Sequence, residues 1–396
     1  MEKLLTNAGP DFSDTEIAFS SKSDKELKQT ARLFKLMSNP LLVKLGSTIG
    51  LWANRMHLPF VDSIVEKTIF AQFCGGKTLL ESQLAIEKLD KYKILSVLDY
   101  GAEGKSTEAE LDRTLEKLIE GVRFASTNDG VPVVSTKLTS LATNAILVKW
   151  QTPEGLSKDE EVIFEHVVER INRLCSEAHK LGVSIFVDAE ETWMQDTIDH
   201  VVETMMERYN LKRVIVYNTF QLYRIDSLNN LKEAYARAQS NGYLLGAKLV
   251  RGAYMEKERA RALEMGYASP IQPDKESTDR DYNAAVEFCV EHYETLASCN
   301  ASHNLESNLL QAKLIEEKKI LKNHRHLNFC QLYGMSDHIT FNLAAAGYNV
   351  GKYVVYGPIK EVLPYLVRRA QENTSVTGDM SRELSLIMKE VKRRGL

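Results

Sequence analysis

Residues 157–190 read SKDEEVIFEHVVERINRLCSEAHKLG (157–182) followed by VSIFVDAE (183–190). Ser157-x-x-Glu160 is a capping box, which opens a helix by pairing its first free amides with two side chains. Gly182 stands where such a helix should stop. The eight residues after it form a near-continuous apolar run, the pattern of a parallel strand covered on both faces. A helix followed by a buried strand is one βα repeat, and the same texture extends in both directions.

Upstream lie ILSVLDY (94–100) and VPVVSTKLT (131–139). Downstream come RVIVYNTF (213–220), YLLGAKLVRGAY (243–254), TLASCNASHN (295–304), LNFCQLYGM (327–335) and VGKYVVYG (350–357). The helices between them have readable limits. Thr107-x-x-Glu110 is a second capping box, Leu111, Leu115, Leu118 and Val122 form a helical stripe, and Gly242 is a second stop. Eight such units over roughly 280 residues match the count and size of a TIM barrel. A doubly wound open sheet shares the alternation, but no strand is followed by the GxGxxG turn of a dinucleotide-binding sheet. Residues 24–91 carry only helical patterns, with Pro40 and Pro59 as start signals; the apolar patch Ile49–Trp52 among them suits a segment covering the main domain. The chain therefore reads as α/β: an N-terminal helical segment (1–91) packing on a (βα)8 TIM-type barrel (92–396) that ends in a C-terminal helix.

Composition narrows the function. A net charge of −4, with 44% hydrophobic and 26% charged residues, is ordinary for a soluble domain and gives no footprint for nucleic acid. The five cysteines are scattered, with neither a CxxC pair nor a His/Cys ligand spacing, so no disulfide framework and no structural zinc is expected. His324 and His326 precede a strand, away from the end where barrel chemistry gathers, so no metal is expected there either. The N-terminus resembles neither a secretory signal nor a transit peptide. Together these favour a cytoplasmic, reducing compartment.

In a TIM barrel the chemistry sits at the C-terminal ends of the strands. Those ends carry Asp99-Tyr100, Thr136-Lys137, Asp188 with Glu190-Glu191, Asn218 to Gln221, Lys248 to Tyr254, Ser302-His303-Asn304, Gln331 to Met335, and Tyr356. A turn and a helix follow Tyr356, with Arg368, Arg369 and Glu372 at RRxxE spacing. Five cations, Lys137, Lys248, Arg251, Arg368 and Arg369, would converge on one mouth and call for an anionic ligand. Two adjacent guanidiniums can grip a small carboxylate, and Glu372 stands four residues from Arg368 to orient them. Each group alone has a structural alternative: Lys137 could pair with Glu190, the acids after Asp188 could stabilise a helix start, and RRxxE could be a solvated face.

These motifs resemble the proline dehydrogenase family of FAD-dependent TIM barrels. The resemblance runs through Ser135-Thr-Lys-Leu-Thr139, Phe186-Val-Asp-Ala-Glu-Glu191, Tyr217-Asn-Thr-Phe-Gln221, Lys248-Leu-Val-Arg-Gly-Ala-Tyr254, Ala301-Ser-His-Asn304, Gln331-Leu-Tyr-Gly-Met335, and Tyr356-Gly-Pro with Tyr365-Leu-x-Arg-Arg-x-x-Glu-Asn373. It is nearer the monofunctional eukaryote-like branch. It implies oxidation of L-proline to 1-pyrroline-5-carboxylate, with hydride passing to FAD and electrons onward to a quinone. It also implies a set of roles. Arg368 and Arg369 clamp the carboxylate with help from Lys137, while Tyr254, Leu332 and Tyr356 box the ring and Glu372 orients the arginines. Asn218, Lys248, Arg251, Gly252, Ala253, Ser302, His303 and Asn304 hold FAD beside Asp188. Asp188, Lys248 and Lys137 are the catalytic group.

The chain departs from the family pattern in three places. Lys248 and Arg251 look exchanged relative to many bacterial members, and Asn218 replaces a frequent Gln. Gly76-Lys77 stands where relatives have a Gly-Glu able to pair with the first arginine, leaving Glu110 or another acid to substitute. Hydroxyproline oxidation is the nearest alternative, disfavoured by the bulk of Tyr356. A folate-dependent flavin barrel and a non-catalytic ligand-binding barrel are more distant ones. The chain's end at Leu396 suggests a separate 1-pyrroline-5-carboxylate dehydrogenase. The basic amphipathic tail SRELSLIMKEVKRR is expected to pack on the domain, with peripheral contact to an inner or mitochondrial inner membrane as the alternative.

Overall fold

The strands follow the apolar runs closely. In the computed structural model, β1 is Cys74–Gly76, β2 Leu95–Tyr100, β3 Val133–Lys137, β4 Ser184–Asp188, β5 Val216–Gln221, β6 Leu245–Val250, β7 Leu296–Ala301, β8 Leu327–Leu332 and β9 Val350–Tyr356. The structure describes residues 9–39, 63–101, 107–372 and 379–396, with backbone alone for 371, 372 and 379–381. The sheet order is β1-β9-β2-β3-β4-β5-β6-β7-β8, and β9 also pairs with β8. Strands β2 to β9 thus form a closed, eight-stranded parallel (βα)8 barrel. The short β1 is an addition that the sequence did not announce. It pairs in parallel with β9, Cys74 opposite Val355 and Gly76 opposite Tyr356.

Residue contacts group the chain into two units. One comprises Ser96–Ser302 with Arg325–Asn328 and holds β2 to β7. Its strands are buried along most of their length, with Leu98, Val134, Ile185, Val187, Val216, Leu249 and Leu296 essentially inaccessible. That double coverage is why the runs read as continuous rather than alternating. The helix Glu108–Ser126 opens on the Thr107–Glu110 capping box and buries its whole predicted stripe, Leu111, Leu115, Leu118 and Val122. Each such leucine is worth about 2 kcal/mol relative to exposure. The helix Lys158–Leu181 opens on the Ser157 box and stops at Gly182, φ 73°. The helix Ser227–Asn241 stops likewise at Gly242.

The other unit comprises the chain up to Leu95, His303–His324 and Phe329–Leu396. An apolar cluster knits Phe19, Leu27, Phe34 and Phe73 of the N-terminal helices to Val355, Val362 and Leu366 of the β9 region, and to Ile387 of the last helix. The tail's amphipathic pattern is therefore explained by packing. Ile387 is fully covered, Leu384, Leu386 and Val391 lie against the same cluster, and Met388 stays exposed. Lys389 donates to Ser13 O and Arg394 to Phe19 O and Lys22 O, tying the tail to the N-terminal segment. The Pro40, Ile49–Trp52 and Pro59 readings fall outside the described residues. Among the described residues no helix is long and apolar enough to cross a membrane.

Candidate active site

Alternation along a strand sends residues two apart to the same face, and this sorts the site residues of the β2–β7 unit. Phe186 of β4 packs edge-on against Tyr217 of β5, and the ammonium of Lys248 in β6 lies 5.4 Å from the Phe186 ring centre. Asp188, two residues past Phe186, reaches that same ammonium with Oδ1 and also accepts a 2.9 Å hydrogen bond from Ser135 Oγ. Lys248 is only 4% exposed, and the Asp188 carboxylate is the countercharge that balances burial of such a group. Lys137 ends β3 directly opposite Asp188 in the strand register. Lys137 and Asp188 thus end the neighbouring strands β3 and β4, and Lys248 lies two residues before the end of β6.

The acids after Asp188 divide differently. Glu190 accepts from Thr139 N–H and Oγ1, and burial pushes its carboxyl up to about 7 against the opposing pull of Lys137 and Thr139. Glu191 is the cap residue of the helix Thr192–Tyr209 and pairs with Lys257. The fully buried Glu258 closes the same helix end by accepting from both Thr192 N–H and its hydroxyl. These acids build the loop rather than a second acid–base pair.

After β6 the chain turns sharply. Arg251 is held by Asp279, which accepts at 2.7 Å from Nε, and donates at 2.8 Å to Ser302 Oγ; its guanidinium lies 4.3 Å from the Tyr282 ring centre. Burial pushes the Asp279 carboxyl up, but its bonds to Lys275 and Arg251 outweigh this and hold it low. Gly252 follows at φ 139°, and a Cβ there would lie 2.4 Å from the Tyr223 ring, so no side chain fits. Ala253 N–H then faces Gln221 Oε1 at 3.4 Å. Tyr254 begins the helix Met255–Met265, with the Lys257 ammonium 5.5 Å from its ring.

Asn218 takes a different place from the one expected. Its amide donates at 2.8 Å to Asp199 of the covering helix, a buried acid shifted upward by its burial. That is the strand face opposite Tyr217 and Lys248. Gln221 lies on the inner face instead, at the very end of β5, bonded to Glu190 O at 2.7 Å. The signal was available: Tyr217, Thr219 and Gln221 alternate together, and Thr219 is the register partner of Lys248.

In the second unit, His303 Nδ1 lies 2.8 Å from Ser336 Oγ, and Nε2 accepts from Leu332 N–H at 3.4 Å. Asn304 caps the helix Leu305–Glu317, accepting from Ser307 N–H. Tyr356 ends β9 at 5% exposure. In the helix Ile359–Glu372, Arg369 is only 9% exposed and lies 5.3 Å from the Tyr365 ring centre; Arg368 is half-buried. A guanidinium that far from water is not a solvated helix face, because burying a charge is costly unless something balances it. The Glu372 side chain lies outside the described set. Lys77, which follows Gly76, pairs with Glu66 at 2.7 Å, and Glu110 accepts from Thr107 in its capping box.

The profile of the family described as Proline dehydrogenase matches residues 83–382. The chain belongs to the proline dehydrogenase family. It is 32% identical over 429 aligned residues to proline dehydrogenase 1, mitochondrial, of Dictyostelium discoideum, covering 96% of this chain and 74% of that one. It is also 31% identical to the hydroxyproline dehydrogenase of Xenopus laevis, covering 97% and 90%. Among solved structures it resembles proline utilization A of Bdellovibrio bacteriovorus, with a TM-score of 0.70 at 22% identity, covering 94% of this chain and 40% of that larger protein; this likeness is one of fold. As a proline dehydrogenase-family barrel the chain has donors suited to a flavin dinucleotide. The Arg251 guanidinium and the side-chain-free backbone at Gly252 suit a phosphate, and the buried Lys248 ammonium suits an electron-rich ring.

Proposed function

We propose that this chain oxidises L-proline to 1-pyrroline-5-carboxylate with FAD as its cofactor. The observation that carries the reading is the buried ion pair between Lys248 of β6 and Asp188 at the end of β4, braced by Ser135 of β3, in a chain of this family. FAD, when bound, supplies the redox capacity by accepting a hydride from the ring carbon next to nitrogen. Arg251, Gly252, Ala253, Ser302, His303 and Asn304 would hold it, with Gln221 taking the part first given to Asn218. Both His303 nitrogens already have partners within the chain, so its ring face and backbone are what it offers.

The remaining work belongs to the protein. Arg368 and Arg369, with Lys137, hold the carboxylate, Glu372 orients the arginines, and Tyr254, Leu332 and Tyr356 enclose the ring; a fixed ring is a near-attack requirement. Asp188 and Lys248 set the charge beside the reacting centre. The substrate's secondary ammonium must lose its proton with or before the hydride, so turnover rises with pH. A quinone as electron acceptor and a separate 1-pyrroline-5-carboxylate dehydrogenase complete the proposal, as does the division into a helical segment (1–91) and a barrel (92–396). Relatives named as mitochondrial support a setting at a respiratory membrane. The relative named hydroxyproline dehydrogenase keeps that substrate as a second reading, and the bulk of Tyr356 disfavours it. Steady-state assay with a soluble quinone decides: activity on L-proline well above hydroxyproline is expected, and a colourless, inactive protein would defeat the reading.

A further inference from the structure

We infer that Glu383, on the C-terminal helix Asp379–Arg393, is a positioning residue that fixes the loop after β8 and, through Ser336, the ring of His303. The inference rests on the reading above, in which Leu332 borders the substrate and His303 the flavin.

Ser336 is the pivot. Its backbone sits at φ 51°, ψ 42°, a left-handed conformation that a residue with a Cβ adopts only when its surroundings impose it. Its N–H donates to Glu383 Oε1 at 2.7 Å, with both residues about 5% exposed. A buried amide outside any ladder needs such an acceptor. The hydroxyl of the same serine meets His303 Nδ1 at 2.8 Å, while Leu332 N–H donates to Nε2. Because Nε2 accepts, Nδ1 carries the proton and donates to Ser336 Oγ. The series Glu383–Ser336–His303–Leu332 therefore runs from the C-terminal helix through the loop after β8 to the end of β8 itself, and it fixes both the tautomer and the orientation of the imidazole.

Neighbouring contacts fix the rest of the loop. Gln72 Nε2 donates to Gly334 O at 2.7 Å, and a Cβ on Gly334 (φ 76°) would lie 1.9 Å from Gln72 O. The ammonium of Lys352, 1% exposed, donates to Met335 O and pairs with Asp337 at 2.9 Å; Lys22 approaches the other Asp337 oxygen at 3.5 Å. Asp337, Lys352 and Lys22 are also the charges that face Glu383. N-terminal segment, β9 and C-terminal helix thus each hold one part of the loop, and Glu383 holds the part bonded to His303.

Three variants of the full chain test this: Glu383→Ala, Glu383→Gln and Ser336→Ala. Hydrogen–deuterium exchange is read over 331–337 and 299–304, beside KM and kcat for L-proline. Glu383→Ala should speed exchange in both segments and raise KM about tenfold with kcat changed less than about threefold, the scale of one buried charge-assisted hydrogen bond. Glu383→Gln keeps an acceptor oxygen and should stay within about twofold of the parent in KM. Ser336→Ala keeps the amide bond to Glu383 and should loosen 299–304 alone. Unchanged exchange in Glu383→Ala, or a Gln variant as impaired as Ala, overturns the inference. If Glu383→Ala does not fold, the other two variants still decide. The exchange readout uses neither proline nor flavin: faster exchange with an unchanged KM supports the anchor and counts instead against Leu332 as a substrate neighbour.

Discussion

Arg369 and Arg368 occupy one helix turn, and the deeper of the two is nine-tenths buried. RRxxE in a sequence is compatible with solvent, and only burial separates the two readings. In the proposed function these arginines serve the substrate, and Arg251 and Lys248 serve the flavin. Arg368→Ala or Arg369→Ala should raise the KM for L-proline by about tenfold to a hundredfold, the range for losing a charge-assisted bond, while flavin content stays near stoichiometric. Flavin loss with an unchanged KM would reverse the assignment. A second residue-scale expectation concerns β5. Gln221→Ala should weaken flavin retention or slow turnover by about tenfold. Asn218→Ala should instead act on stability, because it removes one of the two amide donors, the other being Gln195, that satisfy the buried Asp199 carboxyl. Equal effects of the two on retention would show that the strand faces were misread.

At the scale of elements, the eight barrel strands and the capped helices were legible because their signals are local: buried runs, capping boxes and glycine stops. Two things were not. β1 is three residues long, two of them glycine, so it carries no periodicity and exists only through its pairing with β9. The face on which Asn218 and Gln221 fall depends on register, which one strand read alone does not fix. The tail was legible as amphipathic, and packing supplies the reason. Removing residues 380–396 uncovers the cluster around Phe19 and Phe34 and deletes Glu383. The truncated chain should lose at least about 5 °C in thermal midpoint, measured by calorimetry with flavin in excess. An unchanged midpoint would mean that the tail's apolar side serves something other than this fold.

For the molecule as a whole, stability should carry the mark of its buried ionisable groups. Burial pushes Glu383 up to about 7, with Asp337 adding to the rise and Lys352 opposing it. A carboxyl raised this way binds its proton more tightly when folded, so its contribution falls as pH rises from its ordinary 4.5 through about 7. Burial of His338 lowers its pKa to about 4, and its contribution runs oppositely, rising as pH climbs from there to its ordinary value. The two partly cancel in the parent protein, so a difference between variants is the cleaner observable. The thermal midpoint of Glu383→Gln minus that of the parent should grow between pH 5 and 8; a flat or falling difference would contradict the buried-acid assignment.

Hydride transfer from proline to the flavin is the step on which all these roles depend. Its most direct test is to add L-proline anaerobically to the purified flavin-bound protein and follow the visible flavin absorbance. Full bleaching is expected, with the colour restored when a quinone is admitted, and little bleaching in Arg369→Ala at the same proline concentration. Flavin that keeps its colour at saturating L-proline would contradict it.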